Sequence, residues 1–139
     1  MVTGAEPSTN TFVARGLDRE CKCGDMWPWG ELQSLYQSAS VLLFPSLEEG
    51  FGIPVLEAMA NGLPVVASRT ASLPEAGGEA ALYVDPHDPQ DIADKVLRAV
   101  ENPELRQKMI QQGLERAREF SWRRAAEATL KVYKEALSL

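Results

Sequence analysis

The stretch VLLFPSLEEGFGIPVLEAMANGLPVVA, from Val41 to Ala67, decides how this chain reads. It opens on Val41-Leu42-Leu43-Phe44, a continuous apolar run, as a strand buried on both faces requires. Pro45 to Gly52 has no hydrophobic period and reads as a loop. Pro54 sits where the first turn of a helix accepts proline, because that position has no intrahelical N–H bond to lose. A helix over 53–61 follows, with Gly62 as its C′ residue. Pro64–Ala67 is a second short buried strand. Strand, loop, helix and strand in this order build a parallel sheet with helical crossovers.

The flanks extend the pattern. Leu32, Leu35, Tyr36 and Ala39 recur at three and four residues and predict a helix over 31–40. Residues 68–79, with Pro74, Gly77 and Gly78, read as a loop, and Ala81–Val84 as a third strand. Asp88 or Pro89 opens a helix with Ile92, Ala93, Val96, Leu97 and Val100 on one face. Asn102 caps the next, with Pro103 at its first position, running to about Glu119. Ser121 caps a last helix to about Leu137, with Ala126, Leu130, Tyr133 and Leu137 turned inward and Trp122 as its anchor. The expected fold class is α/β, a parallel sheet flanked by helices. Residues 1–30 stand apart as an atypical N-terminal segment, where only Thr11–Ala14 suggests a strand. Trp27 and Trp29 are read as a cap on the open end of the core, with an exposed partner patch as the alternative.

Composition narrows the function. The chain has 139 residues, 45% hydrophobic and 24% charged, as one globular domain does. Lys plus Arg number 14 against 20 Asp plus Glu, a net charge of −6, which argues against a broad grip on nucleic acid or on an anionic membrane. No apolar run approaches the ~20 residues that span a bilayer. Met1–Asn10 has neither a basic start nor an apolar stretch, so the expected location is the cytoplasm, with peripheral membrane attachment through another region left open. Cys21 and Cys23 are expected as reduced thiols, His87 as a turn residue, and no metal-ligand set is evident. Arg106, Lys108, Arg116 and Arg118 with Glu104, Glu115 and Glu119 read as a mixed solvated face.

The chemistry concentrates where the first strand turns into its helix. Gly50 and Gly52 let a ligand approach the backbone, and free N–H groups near Gly52 and Ile53 favour an anion such as phosphate. Phe51, between the glycines, can shield or stack on that ligand. Glu49 precedes the helix and Glu57 lies about four residues inside it, ~6 Å along the axis. Both are acceptors for sugar hydroxyls. A ligand with hydroxyls at each end and phosphates between, such as a nucleoside diphosphate sugar, suits this layout. By spacing alone, a loop charge and a solvated helix face explain the two glutamates more readily, because two glutamates eight apart are common. A dinucleotide-binding loop is disfavoured, because Val55 stands where Gly-x-Gly-x-x-Gly needs its third glycine.

From Glu31 to Leu139 the chain resembles the C-terminal, nucleotide-sugar-binding domain of GT-B glycosyltransferases, specifically glycosyltransferase family 4. The residues that carry the resemblance are Phe44-Pro45-Ser46, Glu49-Gly50-Phe51-Gly52-Ile53-Pro54-Val55-Leu56-Glu57-Ala58-Met59-Ala60 and Gly62-Leu63-Pro64-Val65-Val66-Ala67-Ser68. Leu73-Pro74-Glu75, Val84-Asp85-Pro86 and Phe120-Ser121-Trp122 add to it. The family's two-glutamate motif falls on Glu49 and Glu57. The resemblance implies a partial Rossmann-like sheet and retaining transfer of a sugar from a nucleoside diphosphate donor, which is a substrate; no cofactor or metal is implied. Glu57 would accept from the ribose hydroxyls. Glu49 would orient the donor sugar as the catalytic-site carboxylate. The amides of Gly52 and Ile53 would meet the diphosphate, with Gly50 and Phe51 beside them, and the Ser68–Pro74 loop would close the pocket.

In that family a second domain binds the acceptor, and the first strands of the donor domain carry an Arg and a Lys for the diphosphate. Neither has a counterpart here, so the chain alone is expected to show little or no turnover. The expectation is therefore a donor-domain fragment of a transferase. The alternative is a non-catalytic nucleotide-sugar-binding or interaction module from a truncated transferase. Its expected partners are a nucleotide sugar and either an N-terminal domain or a second copy pairing along the open sheet edge, with residues 1–30 as the alternative cover of that edge.

Overall fold

In the computed structural model, residues 12–14 and 29–137 are described. The order is β1 (Phe12–Ala14), α1 (Trp29–Ser38), β2 (Val41–Phe44), α2 (Ile53–Ala60), β3 (Val65–Ser68) and α3 (Leu73–Gly77). A 3₁₀ turn over Gly78–Ala80 leads into β4 (Ala81–Val84), followed by α4 (Pro89–Glu101), α5 (Pro103–Arg118) and α6 (Trp122–Ala136). Thr11, Cys21, Cys23 and Trp27 lie outside the described residues, as does the side chain of Trp29.

The four strands lie in the order β1-β2-β3-β4. β2, β3 and β4 are parallel, with Leu42 opposite Val65 and Val66 opposite Leu82. β1 runs antiparallel to β2, with Val13 opposite Leu42. It lies inside the segment that the sequence reading sets apart. It also occupies the edge of β2, as the cover expected from residues 1–30 would, so that edge is not open to a second chain.

Strand residues alternate between two cores, as the pleat requires. Leu42, Phe44, Val65, Ala67 and Ala81 face a core completed by Tyr36, Val55, Met59, Leu73 and Ala76. Val41, Val66 and Val84 face the opposite core with Ala99 and Met109. Both faces of the parallel sheet are thus covered, which is why its strands read as unbroken apolar runs. α5 serves both cores, through Met109 in one and Ala117 against the other. It approaches α2 closely at Gly113, where a Cβ would sit 3.2 Å from the Met59 side chain.

Two expectations are corrected. The segment 68–79 contains α3, a five-residue helix held by the burial of Leu73 and Ala76. The last helix turns no residue inward: α6 has no buried residue, and Leu130, Tyr133 and Leu137 are exposed. Trp122, expected as an anchor, is 81% exposed. Periodicity marks which side of α6 is apolar, but no described element packs against that side deeply enough to bury it.

Candidate functional site

Three loops gather at the carboxyl ends of the parallel strands: residues 45–52 after β2, 69–72 after β3 and 85–88 after β4. Ligands of open α/β sheets bind along this edge. Hydroxyls join the first two loops. Ser68, fully buried at the end of β3, donates to the Ser46 carbonyl. Thr70 donates to the same carbonyl at 2.9 Å, and the Ser68 and Thr70 hydroxyls lie 3.0 Å apart. Ser72 donates to the Glu49 carbonyl at 3.0 Å. A buried polar group left unpaired costs about 1–3 kcal/mol, so these bonds fix the path of the loop before α2. The Ser46 hydroxyl also donates toward Glu49 Oε1 at 3.2 Å and the Glu48 carbonyl at 2.9 Å. Glu49 is therefore held at its backbone by β3's loop and at its carboxylate by its own.

α2 begins at Gly52, whose φ of 94° and ψ of 41° lie in the left-handed region. A Cβ there would fall 2.7 Å from Leu73 Cδ2, so glycine is dictated by the fold itself. No side chain caps the helix. Pro54 has no N–H, and the Val55 N–H donates to the Gly52 carbonyl at 3.0 Å. Of the first-turn amides, Ile53 is left without an intrahelical acceptor, at the electropositive end of the helix. Gly50 is exposed, and a Cβ at Gly50 would meet nothing within 4 Å.

Glu57 lies on α2, half-buried. Its Oε2 accepts from the Tyr36 hydroxyl at 3.2 Å. Tyr36 is 4% exposed. Burial foremost, then the charge of Glu57 and the hydrogen bond to it, push the Tyr36 phenol far above its ordinary value, so it stays a donor. Asn61 fastens the Glu57 carbonyl through its side-chain amide at 2.9 Å. Phe51 packs edge-on against Phe120 at 5.7 Å between centroids, and the Arg116 guanidinium lies 4.7 Å from the centre of the Phe120 ring.

The candidate residues Glu49, Gly50, Phe51, Gly52, Ile53 and Glu57 thus sit on one loop and the helix it opens. What holds them is not marked in the local sequence. By periodicity Tyr36 is only an apolar-face residue, although a buried phenol usually finds a partner for its hydroxyl. Arg116, placed on a solvated face, instead donates to the Ala76 carbonyl at 3.2 Å and to the Glu75 carbonyl. His87 lies in the turn after β4, its N–H bonded to Asp85 at 2.9 Å. Among the described residues, no group of three or more His, Cys, Asp or Glu is placed to hold a metal ion. No described helix is long and apolar enough to cross a membrane.

The family model of glycosyl transferases group 1 matches residues 14–116. The chain belongs to the glycosyl transferases group 1 family. This group 1 chain is 40% identical over 107 residues to O-antigen chain mannosyltransferase B of Escherichia coli, covering 77% of the chain and 28% of the relative. It is 40% identical over 136 residues to the D-inositol 3-phosphate glycosyltransferase of Corynebacterium efficiens, covering 95% of the chain and 32% of that protein. The chain thus spans about a third of the length of the curated relatives it matches. Among solved structures, sucrose-phosphate synthase from Thermosynechococcus elongatus superposes with a TM-score of 0.67 at 31% identity, covering 78% of this chain and 28% of that one. The C-terminal domain of a glycosyl transferase group 1 family protein from Francisella tularensis gives 0.61 at 33% identity, covering 69% of this chain and 50% of that one. The three-strand parallel sheet flanked by helices superposes on part of GT-B glycosyltransferases, with β1 antiparallel at its edge.

Proposed function

We propose that this group 1 chain is the C-terminal, donor-binding part of a retaining glycosyltransferase of family 4 and that it binds a nucleoside diphosphate sugar. The observation that carries the reading is the arrangement around the start of α2. Glu49 is braced by Ser46 and Ser72, and Glu57 by Tyr36, on either side of the helix start at Gly52 and Ile53. Glu57 accepts from the ribose hydroxyls, the amides of Gly50 to Ile53 receive the diphosphate, and Glu49 orients the hydroxyls of the donor sugar. In the retaining reaction the bond from the anomeric carbon to phosphate breaks, and a bond to the acceptor oxygen forms on the same face. The acceptor's proton passes to the leaving phosphate. The relatives' names as mannosyl- and glycosyltransferases support transfer of a sugar as the overall reaction.

Titration calorimetry with UDP, GDP and ADP sugars tests the reading. One of them is expected to bind, and Glu57→Ala to weaken it about tenfold, or ~1.4 kcal/mol. Equal binding by the two forms would remove the ribose assignment. The chain alone is expected to transfer little or no sugar. A helix N-terminus contributes ~0.3–1 kcal/mol toward a leaving diphosphate, against the ~8 kcal/mol or more that enzymes supply. Robust transfer by the purified chain to any acceptor would contradict this.

A further inference from the structure

We propose that Tyr36 is a positioning residue for the nucleotide: its buried hydroxyl holds one oxygen of Glu57 and thereby aims the other at the ribose diol. The inference rests on the donor-binding reading above and adds a residue to it. Tyr36 comes from α1, and its ring belongs to the same buried cluster as Val55, Ala58 and Met59 of α2. The ring is therefore fixed by neighbours on the same helix that carries Glu57. The hydroxyl points out of an apolar cluster at a single acceptor, Glu57 Oε2, 3.2 Å away.

A carboxylate on a half-exposed helix face ordinarily samples several rotamers and is solvated on both oxygens. Here one oxygen is committed. The main chain of Glu57 is fixed as well, because Asn61 binds its carbonyl through both the side-chain amide at 2.9 Å and the backbone N–H at 3.2 Å. What remains for a ligand is Oε1, with its direction set by Oε2. A vicinal diol presents two hydroxyl donors in a fixed relation, so it gains from an acceptor that does not have to be ordered on binding. Because burial and the neighbouring carboxylate keep Tyr36 protonated, the brace persists across the neutral and alkaline range.

The test compares the full chain with Tyr36→Phe, Glu57→Ala and the double variant. Each is titrated with UDP, GDP and ADP and with their 2′,3′-dideoxy counterparts, after a thermal melt shows that it folds. Tyr36→Phe keeps the packed ring and is expected to weaken the ribonucleotide about 3- to 10-fold while leaving the dideoxy form unchanged. The double variant is expected to bind no more weakly than Glu57→Ala. If Glu57→Ala weakens binding and Tyr36→Phe does not, or if Tyr36→Phe weakens both nucleotide forms equally, the positioning role is overturned and the donor site stands. If the unaltered chain binds none of the three, the donor-binding reading itself falls and this inference with it; if Glu57→Ala binds as well as the unaltered chain, donor binding stands but the ribose assignment of Glu57 falls and takes this inference with it.

Discussion

Gly52→Ala is expected to destabilise the fold by ~2–4 kcal/mol. Two costs add. An L-residue at φ 94° pays ~1–2 kcal/mol for the left-handed conformation. The new methyl also falls 2.7 Å from Leu73 Cδ2, in a core where Leu73 is 0% exposed, and overpacking of that kind costs ~1–3 kcal/mol. The loss of chain freedom in the unfolded state returns only ~0.4–1 kcal/mol. At about 4 °C per kcal/mol for a domain of this size, the melting midpoint drops by ~8–16 °C. Thermal and urea melts followed by circular dichroism measure it.

Gly50→Ala supplies the contrast. Gly50 has no positive φ, and its Cβ position is open. The same substitution two residues upstream is therefore expected to leave the midpoint unchanged or slightly raised. Under the donor-binding reading it should instead weaken nucleoside diphosphate binding, since only an approaching ligand needs that space. Matching melts for the two variants would refute the strain argument.

The difference between these two glycines also shows how far the sequence alone reaches. The unit from β2 through α2 to β3 was legible because three local signals agreed: an apolar run, Pro54 at the helix start and Gly62 at its end. Gly62 indeed takes a positive φ of 71°. α3 carried no such signal. It is five residues long, contains a proline and a glycine, and exists because Leu73 and Ala76 are buried. The direction of β1 was equally hidden, since three residues carry no mark of parallel or antiparallel pairing. For the site, residue types and order were readable, and partners were not. Tyr36 and Glu57 are 21 positions apart, Ser72 and Glu49 are 23, and Arg116 and Ala76 are 40. No hydrophobic period reports pairings of that range. Chemistry still left a trace, because a tyrosine on an apolar helix face has a hydroxyl to satisfy.

Arg116→Met is expected to cost ~1.5–3 kcal/mol, the range for hydrogen bonds to a charged group. Methionine keeps the apolar stem and removes the donors. In the native chain Nε donates to the Ala76 carbonyl at 3.2 Å, and a second nitrogen donates to the Glu75 carbonyl. These carbonyls belong to the last turn of α3, where the helix has acceptors without intrahelical donors and favours a cation. The third contact, to Glu119, is expected to matter little, because the Glu119 side chain is 57% exposed and surface pairs contribute ~0–1 kcal/mol. Glu119→Gln is therefore the control, with a near-native melt. Arg116→Lys should recover only part of the loss, since an ammonium cannot span both carbonyls as a planar fork does. The effect should also travel. Arg116 lies over Phe120, and Phe120 supports Phe51 in the loop that opens α2. Amide hydrogen exchange in Arg116→Met should rise at Leu73–Gly77 and at the start of α2 together, because both ends of that chain of contacts lose their common anchor. If exchange rose at α3 alone, Phe51 would be held independently of Arg116. A melt no lower than that of Glu119→Gln would mean that water replaces the guanidinium at both carbonyls without penalty.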